Sequence, residues 1–326
     1  MNADEHDFGE QLEPHRRELY AHCYRMLGSV QDAEDAVQEA LLRAWRALDE
    51  FEGRSSLRSW LYTIATNVCL RMIERRPARV LPIDYGPPSD PHGPLGPPLV
   101  ESTWIDPYPD AELGLDDTLA GPAARYEARE AVELAFIAAL QHLPARQRAV
   151  LILRDVLGFS GAEVAEALDA TPASVYSLLQ RAHATLEDRL PDRSQQATLR
   201  TLGDEQLSAV VNRYVDAWAR ADVDAIAEML TETATLAMPP TATWLRGRGS
   251  IVTFLRHTAL DGTRSWRLEP TTANGQPAMV AYVRDASGEY LPYGVTVLTL
   301  GHGGIAEINV FRDPSAPARF GLPDQL

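Results

Sequence analysis

An acidic segment rich in proline and glycine divides this chain and most constrains how it can fold. Eleven of the 23 prolines lie within residues 77–123, in stretches such as PPSDPHGPLGPP and WIDPYPDAELGLDD. Proline removes backbone donors, and a segment of this composition buries too little apolar surface to fold alone. The sequence therefore predicts a linker over 77–123 between separately folded parts.

Charge follows the same division. The formal net charge is −16. Residues 81–128 hold nine acidic residues and one basic residue, so half of the negative excess lies in this segment. The whole-chain balance argues against nucleic-acid binding, which needs clustered positive charge. The flanking segments, however, are close to neutral and could carry local basic faces.

Several classes of protein are disfavoured by the sequence. Two cysteines, Cys23 and Cys69, do not make a disulfide framework, and we expect them to be buried and reduced. No stretch reaches the roughly 18 apolar residues that span a bilayer, and the acidic N-terminus does not resemble a secretory signal. We expect a cytoplasmic protein without a membrane partner, and we predict neither a metal site nor a cofactor.

Residues 1–76 form the first predicted domain, built from helices. The stretch DAEDAVQEALLRAWR (32–46) concentrates acidic and amide side chains on its early turns. Its apolar residues recur at helical spacing and form a stripe, which we assign to Ala36, Val37, Ala40, Leu41, Ala44 and Trp45. A third helix ends near Arg76, because Pro77 cannot continue it.

Residues 124–193 form a second helical domain, and residues 160–184 within it fit a helix-turn-helix. Thr171 is a candidate N-cap for a second helix with Pro172 at its first position. The outer face of that helix would carry small and polar residues that can approach base edges. From spacing alone, an ordinary helical hairpin is an equal alternative.

Residues 204–326 form the third predicted domain. Helical patterns over 204–230 and 245–260 are followed by alternating stretches such as PAMVAYVRD and YGVTVLTLG. Period-two alternation bounded by Gly, Asp and Pro predicts an antiparallel sheet, so the domain is α+β.

The order of these motifs resembles a known family. Residues 11–76 resemble the second domain of a sigma-70 family factor of the extracytoplasmic-function (ECF) type, through DAEDAVQEALLRAW, EGRSSLRSWLYTIATNVCL and Arg75-Arg76-Pro77. Residues 135–190 resemble the fourth sigma domain, through LPARQRAVLILRDVLGFS and SVYSLLQRAHATL. The linker and tail resemble ECF factors of the sigma-G and sigma-J group, which carry a SnoaL-like (NTF2-like) domain. The implied fold is multidomain: two all-α sigma domains followed by an α+β NTF2-like cone domain.

The resemblance implies a transcription-initiation factor rather than an enzyme. Its partners would be promoter DNA and core RNA polymerase, through the β′ clamp helices and the β flap. The acidic helix would meet basic residues of the clamp, and opposite charges would speed and orient that encounter. The implied polymerase-binding residues are Asp32, Asp35, Gln38 and Glu39.

The same resemblance implies two DNA-reading sites. Opening the promoter minus-ten element requires a polar pocket and a basic groove that hold an unstacked base. The residues implied there are Arg54, Ser55, Ser56, Arg58, Asn67, Arg71, Arg75 and Arg76. The residues implied at the minus-thirty-five element are Ala173, Ser174, Tyr176, Ser177, Gln180 and Arg181.

The linker and the last domain leave alternatives open. In the family the acidic linker threads a nucleic-acid channel of the polymerase, whereas a passive tether is the simpler interpretation. We expect the C-terminal domain to regulate the sigma domains in cis. The alternative is a cyclase- or isomerase-type enzyme fused to a DNA-binding module. A cavity for a small-molecule ligand would be lined by Trp218, Trp244, His257, Trp266, Tyr282 and Tyr293.

Overall fold

The computed structural model describes residues 3–48, 51, 53, 56–76, 78–99, 104–113, 129–191 and 193–326. Contacts within the chain separate it into two compact units. The first comprises residues 1–79 and 111–191, and the second comprises residues 80–110 and 192–326.

The first unit is helical. Its N-terminal block contains α1 (Ala3–Leu27), α2 (Val30–Arg46) and α3 (Leu57–Ile73). Each of the three packs against the other two, around buried side chains that include Leu19, Tyr24, Val37 and Leu61. Ser29 and Ser56 cap α2 and α3 by accepting backbone N–H groups from Asp32 and Ser59, so the starts of both helices are locally encoded.

The second helical block of this unit contains the helix-turn-helix. Helices α4 (Pro82–Tyr85) and α5 (Asp110–Leu113) lie between the two blocks in the sequence and are described below. Two short helices, α6 (Leu134–Gln141) and α7 (Ala145–Leu151), precede a π-helical turn at Ile152–Val156. They are followed by α8 (Gly161–Ala167) and α9 (Pro172–Glu187). A capping box between Ser160 and Glu163 starts α8, and Asp169 takes the positive φ of 47° that the turn requires.

The C-terminal unit is α+β, as predicted. Its helices are α10 (Gln195–Ala219), α11 (Val223–Met229) and α12 (Arg248–Phe254), the last followed by a π-helical turn at Leu255–Ala259. Its strands are β1 (Leu230–Ala237), β2 (Trp244–Arg246), β3 (Trp266–Ala273), β4 (Gln276–Arg284), β5 (Tyr290–Gly301) and β6 (Gly304–Phe311). A short helix, α13 (Ala316–Arg319), follows the last strand.

The strands form one sheet in the order β2-β1-β6-β5-β4-β3, in which only the β1–β6 pair is parallel among the described strands. The face toward the helices carries the main core, including Leu268, Met279 and Ala281. The fold class predicted from the sequence is therefore confirmed.

The predicted linker differs from expectation, because residues 80–99 and 104–110 pack into the C-terminal unit. We call these residues the strap; it contains α4 (Pro82–Tyr85), and α5 (Asp110–Leu113) begins at its last residue.

Strand β4 is buried on both faces: Ala278 and Val280 point away from Met279 and Ala281, and all four are at most 4% exposed.

Hydrogen bonds tie the strap to separate points of the sheet. Near β1 and β2, Trp104 donates its indole N–H to the carbonyl of Pro240 at 2.7 Å. At the β3–β4 turn, the Tyr108 N–H donates to Oδ1 of Asn274 at 2.8 Å and its carbonyl accepts from the Asn274 N–H at 3.0 Å. Composition made this segment resemble a free linker, but tertiary contacts supply the partners that its backbone could not find alone. The domain boundaries themselves stay predictions.

Candidate nucleic-acid interface

Helix α2 presents one buried and one exposed face. Ala33, Ala36, Val37, Ala40 and Ala44 are at most 2% exposed and hold the helix against α1 and α3. The opposite face is exposed. It carries Glu34, Asp35, Gln38, Leu42 and Trp45. An acidic surface with an apolar end is suited to a protein partner.

Two residues of α2 differ from the sequence interpretation. Asp32 is only 6% exposed and forms ion pairs with Arg79, at 2.6 Å, and with Arg76. It therefore anchors the end of the helical block instead of facing outward. Trp45, assigned to the apolar stripe, is 42% exposed, because it lies beyond the edge of the buried face.

The exposed face of α2 includes residues that sequence reasoning missed. Leu42 is 52% exposed, because it lies two helical turns from Asp35 on the same exposed face. The spacing Asp35, Gln38, Leu42 and Trp45 could have revealed this continuous stripe. Glu39 is half-exposed and accepts a hydrogen bond from Arg43 at 2.7 Å.

The implied minus-ten residues are only partly brought together. Arg54 and Ser55 lie outside the described residues. Ser56 is exposed and uses its hydroxyl to cap α3, accepting the Ser59 N–H at 3.1 Å. Arg71, Arg75 and Arg76 are exposed, and Arg76 is also paired with Asp32.

Arg58 is engaged inside the first unit. Its Nε donates to Oε2 of Glu18 at 3.0 Å, and its guanidinium lies 4.9 Å from the ring centres of both Tyr62 and Phe159. Burial alone would lower the pKa of Arg58, but the hydrogen bond with Glu18 and the neighbouring Tyr62 raise it overall. The guanidinium is thus held as a cation between the two helical blocks.

Asn67 is also turned toward the second block. Its side-chain amide donates to the carbonyl of Ala167, at the end of α8, at 3.4 Å. With Phe159 against Arg58, this contact places the helix-turn-helix over the face of α3 that the resemblance assigns to promoter reading. Phe159, the partner of Arg58, and Ala167, the partner of Asn67, each lie about 100 positions away in the sequence. No local pattern could therefore have indicated these contacts.

Helix α9 contains the residues predicted to read the minus-thirty-five element. Thr171 caps the helix by accepting the Ser174 N–H at 3.2 Å, and Pro172 is its first residue. Val175 and Ala182 are at most 2% exposed and fix the inner face. The outer face carries all six implied residues, and all of them are exposed: Ala173, Ser174, Tyr176, Ser177, Gln180 and Arg181. Tyr176 is a large aromatic side chain that is 63% exposed.

The C-terminal unit holds a separate cavity between its helices and the inner face of its sheet. Trp218, Trp266 and Tyr293 line it, together with apolar side chains such as Leu236, Phe254 and Val310. None of the residues lining this cavity is acidic, basic or histidine. The walls therefore offer no carboxylate or imidazole for the acid–base chemistry of an isomerase or cyclase.

Three of the expected cavity residues lie elsewhere. Trp244 is buried at β2 and donates its indole N–H to the carbonyl of Gly86 in the strap at 2.8 Å. The ring of His257 lies 5.4 Å from that of His92. Tyr282 points to the other face of β4 and donates to the carbonyl of Pro323 at 2.8 Å. Their large size suggested the cavity, but strand alternation and strap contacts direct them away from it.

Across the described part of the chain, no group of three or more His, Cys, Asp or Glu side chains is arranged to hold a metal ion. Nor is any helix in that part long and apolar enough to cross a membrane.

Known families match all three parts of the chain. Models described as sigma-70 region 2, sigma-70 region 4 and the SnoaL-like domain match residues 12–78, 133–186 and 211–308. The ECF RNA polymerase sigma factor SigG of Mycobacterium tuberculosis (strain ATCC 25618 / H37Rv) is 44% identical, over 99% of this chain and 86% of that protein. The chain belongs to the ECF RNA polymerase sigma factors. It is an ECF sigma factor with a SnoaL-like C-terminal domain, and sigma factors are transcription factors that bind core RNA polymerase and promoter DNA.

More distant relatives of this sigma factor share its architecture. The ECF sigma factor SigJ of M. tuberculosis is 28% identical over 75% of this chain and 71% of that protein. The crystal structure of M. tuberculosis SigJ matches with a TM-score of 0.60 at 23% identity, and covers 97% of this chain and 99% of that one. This match extends the likeness of fold over both sigma regions and the SnoaL-like domain.

Proposed function

We propose that this sigma factor docks on core RNA polymerase through the exposed stripe of α2. The observation that carries the proposal is that Asp35, Gln38, Leu42 and Trp45 share one solvent-facing side, opposite the buried alanines. Acidic residues would orient the encounter with the basic β′ clamp helices, and the two apolar residues would bury surface once docked. Asp32 would support this face by anchoring Arg79 beneath it.

We infer that promoter reading is shared between two helices. The outer face of α9 would enter the major groove at the minus-thirty-five element, supported by the β flap, with Tyr176 and Gln180 near base edges and Arg181 near a phosphate. The segment from Arg54 to Ser56 and helix α3, with Arg58, Asn67, Arg71, Arg75 and Arg76, would hold the minus-ten strand. The acidic chain as a whole would bind DNA weakly until polymerase joins it.

Free protein would be closed at the minus-ten site. Arg58 and Asn67 are both engaged with the second helical block, so they cannot contact DNA while those contacts persist. A buried guanidinium reinforces the closure: Arg148 on α7 donates to the carbonyls of Met26 on α1 and Leu143. Polymerase binding would supply the free energy that separates the two blocks.

The SnoaL-like domain would regulate these steps in cis through the strap. The strap lies between the two sigma regions in the sequence, yet its hydrogen bonds go to Pro240 and Asn274 of the C-terminal unit. An acidic segment held there cannot enter a nucleic-acid channel of the polymerase. Release of the strap would therefore be one step toward an active complex.

The docking proposal is tested with full-length protein, core polymerase and the upstream DNA of its own gene in run-off transcription. Asp35→Arg should weaken core binding by at least about tenfold, because it reverses charge on the docking face. Glu205→Arg, on exposed α10, makes the same change of charge elsewhere and should bind normally. Asp32→Asn should instead lower stability, by about 3 kcal/mol, because it unpairs buried Arg79.

Two results would contradict the docking proposal. Equal core affinity of the Asp35→Arg and Glu205→Arg variants, measured by fluorescence anisotropy, would remove α2 from the interface. If the protein directs transcription from a defined start site and Asp35→Arg has no effect on core binding, the sigma activity stands but this docking surface is refuted.

A further inference from the structure

Two histidine rings from distant parts of the sequence lie side by side on the C-terminal unit. His92 belongs to the strap, and His257 belongs to the π-helical turn that follows α12. Their ring centres are 5.4 Å apart, and the ring planes are tilted by 46° to each other. Both residues are exposed, so dissolved ions can reach the pair. Imidazole is the commonest metal ligand in proteins, which makes this pair a candidate chelate.

Hydrogen bonds and packing fix the strap backbone around His92. Oδ1 of Asp90 accepts the backbone N–H of His92 at 3.0 Å. One position earlier, the Ser89 N–H donates to the carbonyl of Trp244 at 2.7 Å. Leu95, three residues after the histidine, packs against the core of the C-terminal unit. The first imidazole is therefore held at this place by contacts of its own segment.

The second imidazole projects from an equally fixed segment. Leu255 and Ala259, on either side of His257, are at most 9% exposed and anchor the π-helical turn in the core. Such turns are rare and are frequent at functional sites. The neighbouring Arg256 pairs with Asp224 at 2.5 Å, so its positive charge is partly compensated next to the pair. A cation that approaches His257 therefore meets less repulsion.

The ring separation fits one shared metal ion. An imidazole nitrogen binds Zn²⁺ at about 2.0–2.1 Å, so each ring centre lies about 3.2 Å from the ion and two rings on a tetrahedral ion lie roughly 5 Å apart. The observed 5.4 Å is close to this value, and small rotations of two exposed side chains would close the difference. Two imidazoles also match the preference of Zn²⁺, Cu²⁺ and Ni²⁺ for nitrogen ligands over that of Mg²⁺ or Ca²⁺, which prefer oxygen.

We propose that His92 and His257 together bind one divalent transition-metal ion, with water in the remaining coordination positions. The site would join the strap to the turn after α12, so the bound ion would hold the strap against the C-terminal unit. The inference depends on these two side chains and their fixed backbones, and not on the proposed polymerase or promoter contacts.

The test titrates full-length protein with Zn²⁺ in a calorimeter. His92→Gln and His257→Gln should each weaken Zn²⁺ binding by at least about tenfold, because the remaining imidazole no longer forms a chelate. The double variant should bind no more weakly than either single variant, since both ligands serve one ion. His302→Gln is the matched control: His302 is exposed between β5 and β6, and its loss should leave Zn²⁺ affinity unchanged.

Amide exchange gives a second measurement that reports the bridge itself. Saturating Zn²⁺ should slow exchange over residues 86–99 by at least about tenfold in the original protein and in His302→Gln, because the ion stabilises the docked strap. The same addition should leave exchange over 86–99 unchanged in His92→Gln and in His257→Gln.

Three results would overturn the proposal. The first is equal Zn²⁺ affinity in the original protein and both single variants. The second is a double variant that binds about tenfold more weakly than either single variant, because the two histidines would then hold separate ions. The third is unchanged strap exchange at saturating Zn²⁺. Loss of transcription activity with normal Zn²⁺ binding would count against the proposed function and leave this site intact.

Discussion

At the scale of single residues, neighbouring carboxylates on one helix have opposite roles. Asp32 and Asp35 lie within the same acidic turn, yet Asp32 is buried between two arginines and Asp35 faces solvent. The difference arises because a step of three residues turns a helix by about 300°, which is enough to leave the packed edge. Charge-reversal data on this helix must therefore separate loss of folding from loss of binding.

His22 makes the stability of the first unit sensitive to acid. It is fully buried, bonds Thr66 at 2.9 Å and meets the Tyr62 ring edge-on at 5.1 Å. Burial, followed by the positive charges of Arg25 and Arg58, lowers the pKa of His22 to about 3. The folded protein therefore keeps this imidazole neutral at pH values where the unfolded chain, with a histidine pKa of about 6.5, takes up a proton.

This difference predicts a specific pH dependence. The contribution of His22 to stability is complete above pH about 6.5 and is lost progressively as the pH falls from there toward 3. Between pH about 7.5 and about 5.0 the loss attributable to His22 should be about 2 kcal/mol. Denaturant unfolding of the original protein and of His22→Gln at both pH values measures it. A fall of the same size in His22→Gln would show that another group is responsible.

At the scale of elements, α3 and the helix-turn-helix share one contact surface. Phe159, just before α8, is 7% exposed and packs on Tyr62 with ring centres 5.3 Å apart, beside Arg58. Residues on α3 that would read DNA are thus among those that hold the two blocks together. If these residues read promoter DNA as proposed, the protein would have to exchange internal contacts for promoter contacts.

Phe159→Ala should open this contact. Removing the ring forfeits about 2 kcal/mol of burial and the stacking on Arg58, so the open population should rise by about tenfold or more. Fluorescence energy transfer between labels on α2 and α9 would report the separation. The free variant should also bind a single-stranded minus-ten oligonucleotide more tightly.

Asn67→Ala is a milder companion, because it removes only the hydrogen bond to Ala167. It should shift the same signals in the same direction by a smaller amount. Tyr176→Ala, on the exposed face of α9, is the control and should leave the label separation unchanged. An unchanged separation in both Phe159→Ala and Asn67→Ala would argue against closure of the minus-ten face.

At the scale of the whole molecule, the strap connects the two sigma regions in sequence but belongs to the C-terminal unit in structure. Its anchors are discrete: the indole of Trp104 at Pro240, and the backbone of Tyr108 at the Asn274–Gly275 turn. That turn has positive φ values of 56° and 68°, which asparagine and glycine tolerate best. The NGQPA sequence therefore shapes both the hairpin and the site that receives the strap.

Trp104→Ala should release the strap while leaving the sheet folded. Trp104 is 4% exposed, and losing a buried indole costs about 3 kcal/mol, so amide-exchange protection over 104–110 should fall by about a hundredfold. If strap capture restrains activity, run-off transcription at limiting polymerase should increase. Ile83→Ala alters an exposed strap residue and serves as the control. Faster exchange with unchanged transcription would separate strap release from regulation.

The sequence by itself determined the local order: the capped helices, the helix-turn-helix with the exposed outer face of its second helix, the alternating strands and the succession of three parts. These features depend on periodicity and on hydrogen bonds between residues a few positions apart. Only the tertiary structure decided that Asp32 is buried with Arg79, 47 residues away, and that Tyr108 binds Asn274, 166 residues away. Such contacts depend on which surfaces the chain brings together, and no local spacing encodes them. The occupied face of α3, the docked strap and the cavity wall therefore became visible only in the folded molecule.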